Sequence, residues 1–416
     1  MTDETGLQVQ RRDGDSTLSL SKVRSSLIAR GRREAASLAG PLSEIRRRAE
    51  EEDAEAQFSR GLAYASGQGA AQDWADAAIW FRKAADQGHA HAQGILGSMY
   101  LEGVGARQDY AEAALWLRKA ADQRFDSAQM NLGFMYDSGQ GVSKDYAEAA
   151  RWYRTAAEQG NAAAQCYLGF RYATGQGVEQ DYAEALRWYR KAADQGNADA
   201  QFNVGLRYAN GQGVEQDYVE AARWIRKAAD QGFAAAQDSL GYIYANGQGM
   251  TQDRGEALRW LRLAAEQGHV RAQDHLGYIY AEGQGVARDY AEAVRWYRKA
   301  AEQGNAHAQG SLGFMYDSGQ GVEQDYAEAL RWYRKAADQG NADAQFNVGR
   351  LFWSGQVVPQ DCAEAHMWLN LAVSGASGDL QNEYAAFRDL VAKDMTPAQI
   401  AEAHRRAREW NPRVSV

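Results

Sequence analysis

The sequence predicts an all-α solenoid of nine 36-residue helix–turn–helix repeats with capping helices at both ends. The first observation is a stretch of 31 residues, 175–205, that returns letter for letter at 319–349, four repeat lengths later. The second is a set of landmarks that recurs in every unit without an insertion: a glutamine, a glycine four positions on, an aromatic residue three further on, and a tryptophan sixteen after that. A fixed period of this length is typical of stacked repeats, in which each unit buries its apolar face against its neighbours.

Each unit begins with a predicted helix that ends at a glycine turn, as residues 198–232 illustrate. Val204 and Tyr208 are four positions apart and lie on one helix face. Gly205, between them, leaves a thin notch in which another helix can approach closely. The letters GQG that follow break this helix, because glycine takes the positive-φ conformations that a tight turn needs.

The second helix of the unit is predicted to begin at an acidic cap. Asp217 followed by Glu220 is close to a capping box, in which side chains bond the free amide hydrogens of the first turn. Ala221, Trp224 and Ile225 then form one apolar stripe. We therefore interpret the recurrent tryptophan as a core residue, and not as a stacking ladder for nucleic acid.

The pattern AxAQxxLGxxYxxGxGVxxDYxEAxxWYRKAAxQG, present from about residue 54 to 371, resembles the Sel1-like repeat, a relative of the tetratricopeptide repeat. The resemblance implies a right-handed superhelix of helix pairs of the bacterial type. It also implies that first helices line the concave surface and second helices the convex one. The function it implies is an adaptor that holds other proteins together, with no chemistry of its own.

Composition and charge narrow the function classes. A formal net charge of −9 and an isoelectric point near 5.4 argue against a general nucleic-acid binder, which needs a basic surface. No apolar run approaches the roughly 20 residues of a membrane span, and the first residues lack the apolar core of a signal peptide. Cys166 and Cys362 lie in different repeats, too far apart to bridge. We therefore expect a cytoplasmic monomer.

The two ends of the chain lie outside the repeat register. We expect residues 1–40 to be a basic, partly disordered segment with a short amphipathic helix that carries Val23, Leu27 and Ile28. This helix could cap or fold back on the acidic solenoid, contact a partner or nucleic acid, or lie on a membrane. The letters TPAQ at 396–399 predict a capping box that opens the last helix. The predicted boundaries are 41–53 for an N-terminal capping half-repeat, 54–371 for the nine repeats and 372–416 for C-terminal capping helices.

No pattern in the sequence indicates catalysis, a metal or a cofactor. Most carboxylates recur at the same repeat positions, as helix caps and helix surface do, whereas a catalytic acid–base pair would be singular. The GQGV loops lack the third glycine and the Lys-Ser/Thr of phosphate-binding loops. His89 and His91, or His269 and His275, have no further ligand at metal-binding spacing on one helix face. We expect no enzyme, although some relatives of this repeat have been associated with cell-wall or lactam substrates.

We expect a partner to bind at the positions of the first helix that differ between repeats, since the recurrent glutamine, glycine and aromatic positions serve the fold. The position two residues after the glutamine often carries asparagine, and the position five after it is rich in aromatic residues. Both suit an extended peptide or a helix. One position further on, Arg171 and Arg207 replace apolar residues in adjacent repeats; they could grip a carboxylate, or extend to solvent or pair with nearby acids. The candidate partner-binding residues are Asn131, Phe134, Phe170, Arg171, Asn203, Arg207, Tyr242, His275, Tyr278, Phe314 and Asn347.

Two functions follow from this sequence. The first is a scaffold or adaptor that binds a protein or peptide in the concave groove. The alternative is a regulatory or signalling component whose basic N-terminal segment contacts nucleic acid or a membrane while the solenoid acts as a spacer. The first predicts that changing Phe170 and Arg171 together to alanine abolishes partner capture with helicity intact. The alternative predicts that deleting residues 1–40 removes the partners and leaves the fold.

Overall fold

The computed structural model describes residues 42–50, 52–67 and 71–412. Twenty-one α-helices, and no strand, form the secondary structure of this part of the chain. The predicted all-α solenoid is confirmed. The basic segment predicted at 1–40, with its predicted helix, lies outside the described residues.

Nine helix pairs follow a short helix, α1 (Leu42–Glu50), and two helices end the described chain, α20 (Gly378–Ala392) and α21 (Pro397–Glu409). The first helices of repeats 1 to 9 are α2 (Ala54–Ser66), α4 (Ala90–Glu102), α6 (Asp126–Ser138), α8 (Ala162–Thr174), α10 (Ala198–Asn210), α12 (Ala234–Asn246), α14 (Val270–Glu282), α16 (Ala306–Ser318) and α18 (Ala342–Ser354). The second helices are α3 (Trp74–Asp86), α5 (Tyr110–Asp122), α7 (Tyr146–Glu158), α9 (Tyr182–Asp194), α11 (Tyr218–Asp230), α13 (Arg254–Glu266), α15 (Tyr290–Glu302), α17 (Tyr326–Asp338) and α19 (Cys362–Gly375).

The chain forms two compact units, which we call unit 1 (residues 1–227) and unit 2 (residues 228–416). Within each unit, the first helix of a repeat packs on the second helix of the same repeat. That second helix then packs on the first helix of the next repeat, as α15 does on α16. In unit 2, α19 is also covered by α20 and α21.

The recurrent glycine of the first helix is the point where the two helices of a repeat touch. A Cβ added at Gly205 would lie 2.5 Å from Cγ1 of Ile225, and one added at Gly313 would lie 2.7 Å from Cδ1 of Tyr333. Such distances are too short for carbon atoms in a close-packed interior. The notch predicted from the sequence is confirmed.

The glycine turn after the first helix also matches the prediction. Gly211 and Gly213 have φ angles of 65° and 75°, in the left-handed region. A Cβ added at Gly213 would lie 2.3 Å from the carbonyl oxygen of Tyr182, at the start of the preceding repeat's second helix. The turn therefore needs glycine both for its conformation and for its contact.

The second helix begins at an aspartate, but its glutamate serves another purpose than the predicted capping box. Oδ1 of Asp181 accepts hydrogen bonds from the backbone N–H groups of Ala183 and Glu184, each at 2.9 Å. The carboxylate of Glu184 accepts the indole N–H of Trp188 at 2.8 Å. The same glutamate–tryptophan bond recurs in repeats 2, 6, 7 and 9. The indole N–H needs an acceptor when it is buried, and the glutamate one turn earlier supplies it.

Seven of the nine repeat tryptophans lie in the core, as predicted, whereas Trp80 and Trp224 are half-buried. The seven are only 3% to 7% exposed: Trp116, Trp152, Trp188, Trp260, Trp296, Trp332 and Trp368. The capping box at the last helix is likewise confirmed, because Thr396 and Gln399 exchange both of its hydrogen bonds.

The recurrent glutamine makes two hydrogen bonds, one to the preceding repeat and one within its own repeat. Gln273, which is 4% exposed, donates from Nε2 to the carbonyl oxygen of Ala265 in the preceding repeat at 3.0 Å. Its Oε1 accepts from Nε2 of Gln303 at 2.7 Å. The equivalent pair of bonds is made by Gln57, Gln93, Gln129, Gln165, Gln237 and Gln309. A buried amide is tolerated here because both of its ends have partners.

Replacing Gln273 with leucine is expected to lower the free energy of unfolding by about 1 kcal/mol. The loss is moderate because the carbonyl of Ala265 keeps a bond from the N–H of Gly268, and Gln303 keeps one to the carbonyl of Gly268. Urea unfolding followed by circular dichroism measures the change. The same replacement at exposed Gln284 is the control, expected to stay within about 0.5 kcal/mol of the parent. Equal effects at the two positions would contradict a role for the buried bonds.

Candidate functional site

The structure places the eleven predicted partner-binding residues at three levels of exposure. Tyr278 and Phe314 are exposed, at 46% and 50%. Six are half-buried: Phe134, Phe170, Asn203, Tyr242, His275 and Asn347. Three are buried: Asn131, Arg171 and Arg207.

The buried arginines correct one sequence-based expectation. Arg171 is 2% exposed, and its Nη1 lies 3.0 Å from Oδ1 of Asp137 in the preceding repeat. Arg207 is 4% exposed, with its guanidinium 5.5 Å from the centre of the Tyr182 ring, and burial lowers its pKa. Side chains this deeply buried cannot grip the carboxylate of a partner, nor do they extend to solvent. Their positions are structural, and Asn131 is buried with them.

The remaining polar candidates are partly engaged within the chain. Asn203 and Asn347 each donate one amide N–H to the carbonyl one turn earlier in the same helix, at 2.9 and 3.0 Å. Nδ1 of His275 lies 3.3 Å from Oδ1 of the fully buried Asp238. Because an asparagine amide carries two N–H groups, the two asparagines still have one each for a peptide backbone.

Three of the predicted residues, Tyr278, Phe314 and Asn347, line one cavity of about 530 Å³. It opens on the face formed by α14, α16 and α18, the first helices of repeats 7 to 9, and it lies wholly in unit 2. These three helices are in direct contact in series. A volume of this size suits a small ligand or a side chain of a bound peptide.

This cavity, which we call the Gly310 cavity, exists because Gly310 has no side chain to fill it. An added Cβ at Gly310 would have no heavy atom nearer than Oδ1 of Asn341, at 3.8 Å. Repeat 2 also has a glycine here, but an added Cβ at Gly94 would lie 2.4 Å from the ring of Phe125, which occupies the space. The other repeats carry Phe58, Met130, Cys166, Phe202, Asp238, Asp274 and Phe346 at this position.

The two basic side chains that line the cavity are bonded to neighbours. Nδ1 of His307 lies 2.9 Å from Oδ1 of Asp274, and this hydrogen bond raises the pKa of His307 above its ordinary value. Nη1 of Arg288 donates to the hydroxyl of Tyr290 at 3.3 Å. The histidine therefore has its negative partner beside it, and the arginine lies over an aromatic ring.

The two acids that line the cavity, unlike its histidine, have no ion-pair partner among the described residues. Glu282 and Asp343 are both exposed. Oδ1 of Asp343 accepts the hydroxyl hydrogen of Tyr384 at 2.5 Å. Burial raises the pKa of Tyr297 and of Tyr333, so both of these lining phenols stay neutral at physiological pH.

Nine consecutive stretches of the chain match the family model of the Sel1 repeat: residues 54–89, 90–125, 126–161, 162–197, 198–233, 234–269, 270–305, 306–341 and 342–377. The chain belongs to the Sel1 repeat family. The resemblance inferred from the sequence is confirmed. Sel1 solenoids are commonly protein-interaction scaffolds, and the family is one of non-catalytic repeat scaffolds.

Two solved bacterial Sel1 structures resemble this chain along most of its length. A protective antigen of uropathogenic Escherichia coli with an SLR fold is 34% identical, with a TM-score of 0.56, over 93% of this chain and 91% of the antigen. A Sel1 repeat protein from Oxalobacter formigenes is 32% identical, with a TM-score of 0.59, over 83% of this chain and 98% of that protein. No curated protein is similar enough to this chain to count as a match.

None of the described helices has both the length and the apolar character to cross a membrane. Likewise, no three His, Cys, Asp or Glu residues in the described ranges come together as metal ligands would.

Sequence reasoning missed four residues of this Sel1 site: Gly310, His307, Glu282 and Asp343. A signal existed for Gly310, since repeats 1, 5 and 9 carry phenylalanine at the same position. The sequence contains no such signal for Glu282, Asp343 and His307. The repeat pattern shows which positions vary, but it does not show which side chains lie next to them in the fold.

Proposed function

We propose that this Sel1 repeat protein is a scaffold that binds an extended peptide segment of another protein on the first-helix face of repeats 7 to 9. The observation that supports this site is the exposure of Tyr278 and Phe314, large aromatic side chains on the rim of one cavity. Exposed aromatic groups around a pocket are typical of the residues that dominate binding energy at protein interfaces. The general role is supported by the common use of Sel1 solenoids as interaction scaffolds.

The dimensions of the site favour an extended segment. The cavity has the size of one or two side chains, and a folded domain cannot enter it. An extended chain can place a side chain inside and bond its backbone to the second amide N–H of Asn347. The proposal keeps the expectation of a cytoplasmic monomer without enzymatic activity.

Changing Tyr278 and Phe314 together to alanine is expected to weaken peptide binding by at least about tenfold, because both rings belong to the contact surface. A displayed library of random peptides is selected on the full chain, and the affinities of the enriched peptides are measured for parent and variant. The matched control is Leu263→Ala, which removes an apolar side chain that is 36% exposed on the second helix α13.

The affinities of the two variants show which surface the peptides bind. Peptides that bind the double variant as tightly as the parent would place their site elsewhere. Peptides weakened equally by the control would show adhesion to any exposed apolar group. Circular dichroism should be unchanged in all three proteins, since each replacement removes an exposed side chain.

A further inference from the structure

We propose that the Gly310 cavity is a specificity pocket for one positively charged side chain, lysine or arginine, of the bound peptide. This inference rests on the peptide-binding function proposed above and adds the chemistry of the recognised residue. It is carried by the aromatic lining of the cavity, by the balance of charge around it, and by the contrast with neighbouring repeats.

Five aromatic residues border the cavity: Tyr278 and Phe314 are exposed and Tyr290 is half-buried, whereas Tyr297 and Tyr333, at 3% and 1% exposure, contribute little surface. The faces of aromatic rings attract cations, and several rings around one space form the kind of cage that holds ammonium groups in proteins. The rings also give the apolar surface against which the methylene stem of a lysine or arginine packs.

Among the lining groups without an ion-pair partner, the balance of charge is negative, two carboxylates against one guanidinium. Of the two lining bases, His307 is bonded to Asp274 behind it, and Arg288 lies with its guanidinium carbon 5.7 Å from the centre of the Tyr290 ring. Of the two lining acids, neither Glu282 nor Asp343 has a basic partner within ion-pair distance in the described part of the chain. A cationic guest therefore meets two carboxylates without an ion-pair partner, opposed by the single charge of Arg288, although Asp343 also attracts His307 through space.

The place of Asp343 in the repeat pattern explains why its carboxylate has no basic partner within ion-pair distance among the described residues. In repeats 7 and 8 the residue two before the glutamine is basic, and it pairs with the aspartate that follows the previous glutamine: Arg271 with Asp238, at 2.5 Å, and His307 with Asp274. In repeat 9 the residue two before the glutamine is Asp343 instead of a base. The residue that follows the glutamine of repeat 8 is Gly310 instead of an aspartate. The acid has thus replaced the base, and the glycine has replaced the acid, so that a guest cation can take the place of the missing pair.

Adjacent repeats close the equivalent space. In repeat 7 the pair of Asp274 and His307 fills it, and in repeat 9 the ring of Phe346 stacks on Tyr384 with the ring centres 4.4 Å apart. Because the neighbouring repeats fill this position, we expect one peptide position to be selected here, while its neighbours contact the surface.

The test uses four small probes on the full chain: the N-acetyl methylamides of arginine, lysine, norleucine and glutamate. Affinities are measured by ligand-observed NMR titration at low ionic strength. We expect the arginine and lysine probes to bind roughly tenfold more tightly than norleucine, which has a similar stem without the charge. We expect no measurable binding of the glutamate probe.

Two variants assign the binding to this cavity. Gly310→Phe plugs it with the side chain that Phe58, Phe202 and Phe346 provide in other repeats, and should abolish binding of the cationic probes. Glu282→Gln combined with Asp343→Asn keeps shape and exposure, and should weaken the arginine probe several-fold while leaving norleucine unchanged, the remaining preference being that of the aromatic rings. Glu323→Gln is the matched control, because it removes an exposed carboxylate of repeat 8, which carries Gly310, that does not line the cavity.

Each result bears on the inference separately from the proposed function. Equal affinity for arginine and norleucine, or an unchanged preference in the Gln/Asn double variant, would overturn the charge specificity while selected peptides could still depend on Tyr278 and Phe314. Unchanged binding of the cationic probes to folded Gly310→Phe would overturn the location. If Gly310→Phe does not fold, the surface double variant still decides the question.

Discussion

Replacing Gly313 with alanine is expected to destabilise the protein by about 2–3 kcal/mol, whereas the same change at Gly310 should stabilise it by about 0.5–1 kcal/mol. The two glycines lie one turn apart in α16. An added Cβ at Gly313 would be 2.7 Å from the ring of Tyr333, while at Gly310 the nearest atom is 3.8 Å away. The ring cannot move aside, since Tyr333 is 1% exposed in a close-packed core. At Gly310 only the benefit of alanine in a helix remains.

Urea unfolding of the two variants, followed by circular dichroism and by tryptophan fluorescence, measures both changes. The pair controls itself, because the substitution, the helix and the change in helix propensity are the same. If the two variants had equal stability, the contact between α16 and α17 would be loose enough to accept a methyl group. The glycine would then be a helix residue like any other.

The recurrent residues of the repeats could be predicted from the sequence, because each is needed for the same packing contact or turn in all nine repeats. The glycine of the first helix is set by a neighbour 20 residues later in the same repeat, as Gly313 is by Tyr333. The tryptophan is buried by the stacking that any solenoid needs. The glutamine bonds were not predicted, because the partner of Gln273 at Gln303 lies 30 residues away and both look like polar surface residues in the sequence.

The candidate site was predictable only in part. The aromatic position on the first helix correctly led to Tyr278 and Phe314, since helical register alone decides which face they occupy. The arginines one position further on failed, because register places that position towards the core and the acid that accompanies Arg171 comes from another repeat. Burial of a variable position depends on its neighbours, and a single sequence does not display them.

Replacing Arg171 with methionine is expected to lower the free energy of unfolding by about 3–5 kcal/mol, because Asp137 is left without its partner in a poorly solvated site. Nη1 and Nη2 of Arg171 lie 3.0 and 3.2 Å from the two oxygens of Asp137, whose side chain is only 17% exposed. Phe170, the adjacent residue, is half-buried, so Phe170→Ala should cost much less. Urea unfolding of the single variants measures both effects.

Adding Asp137→Leu to Arg171→Met should recover most of the lost stability, because an apolar pair of similar volume leaves no unpaired charge. A double variant as unstable as Arg171→Met alone would show that the arginine acts through its packing on the rings of Phe170 and Tyr146, 4.9 and 5.2 Å from its guanidinium. The expectation also changes the design of binding experiments on this face. Loss of partner capture in a variant that includes Arg171→Ala would report unfolding of unit 1 as readily as loss of a contact. Exposed positions such as Phe314 separate the two, because their removal leaves the core intact.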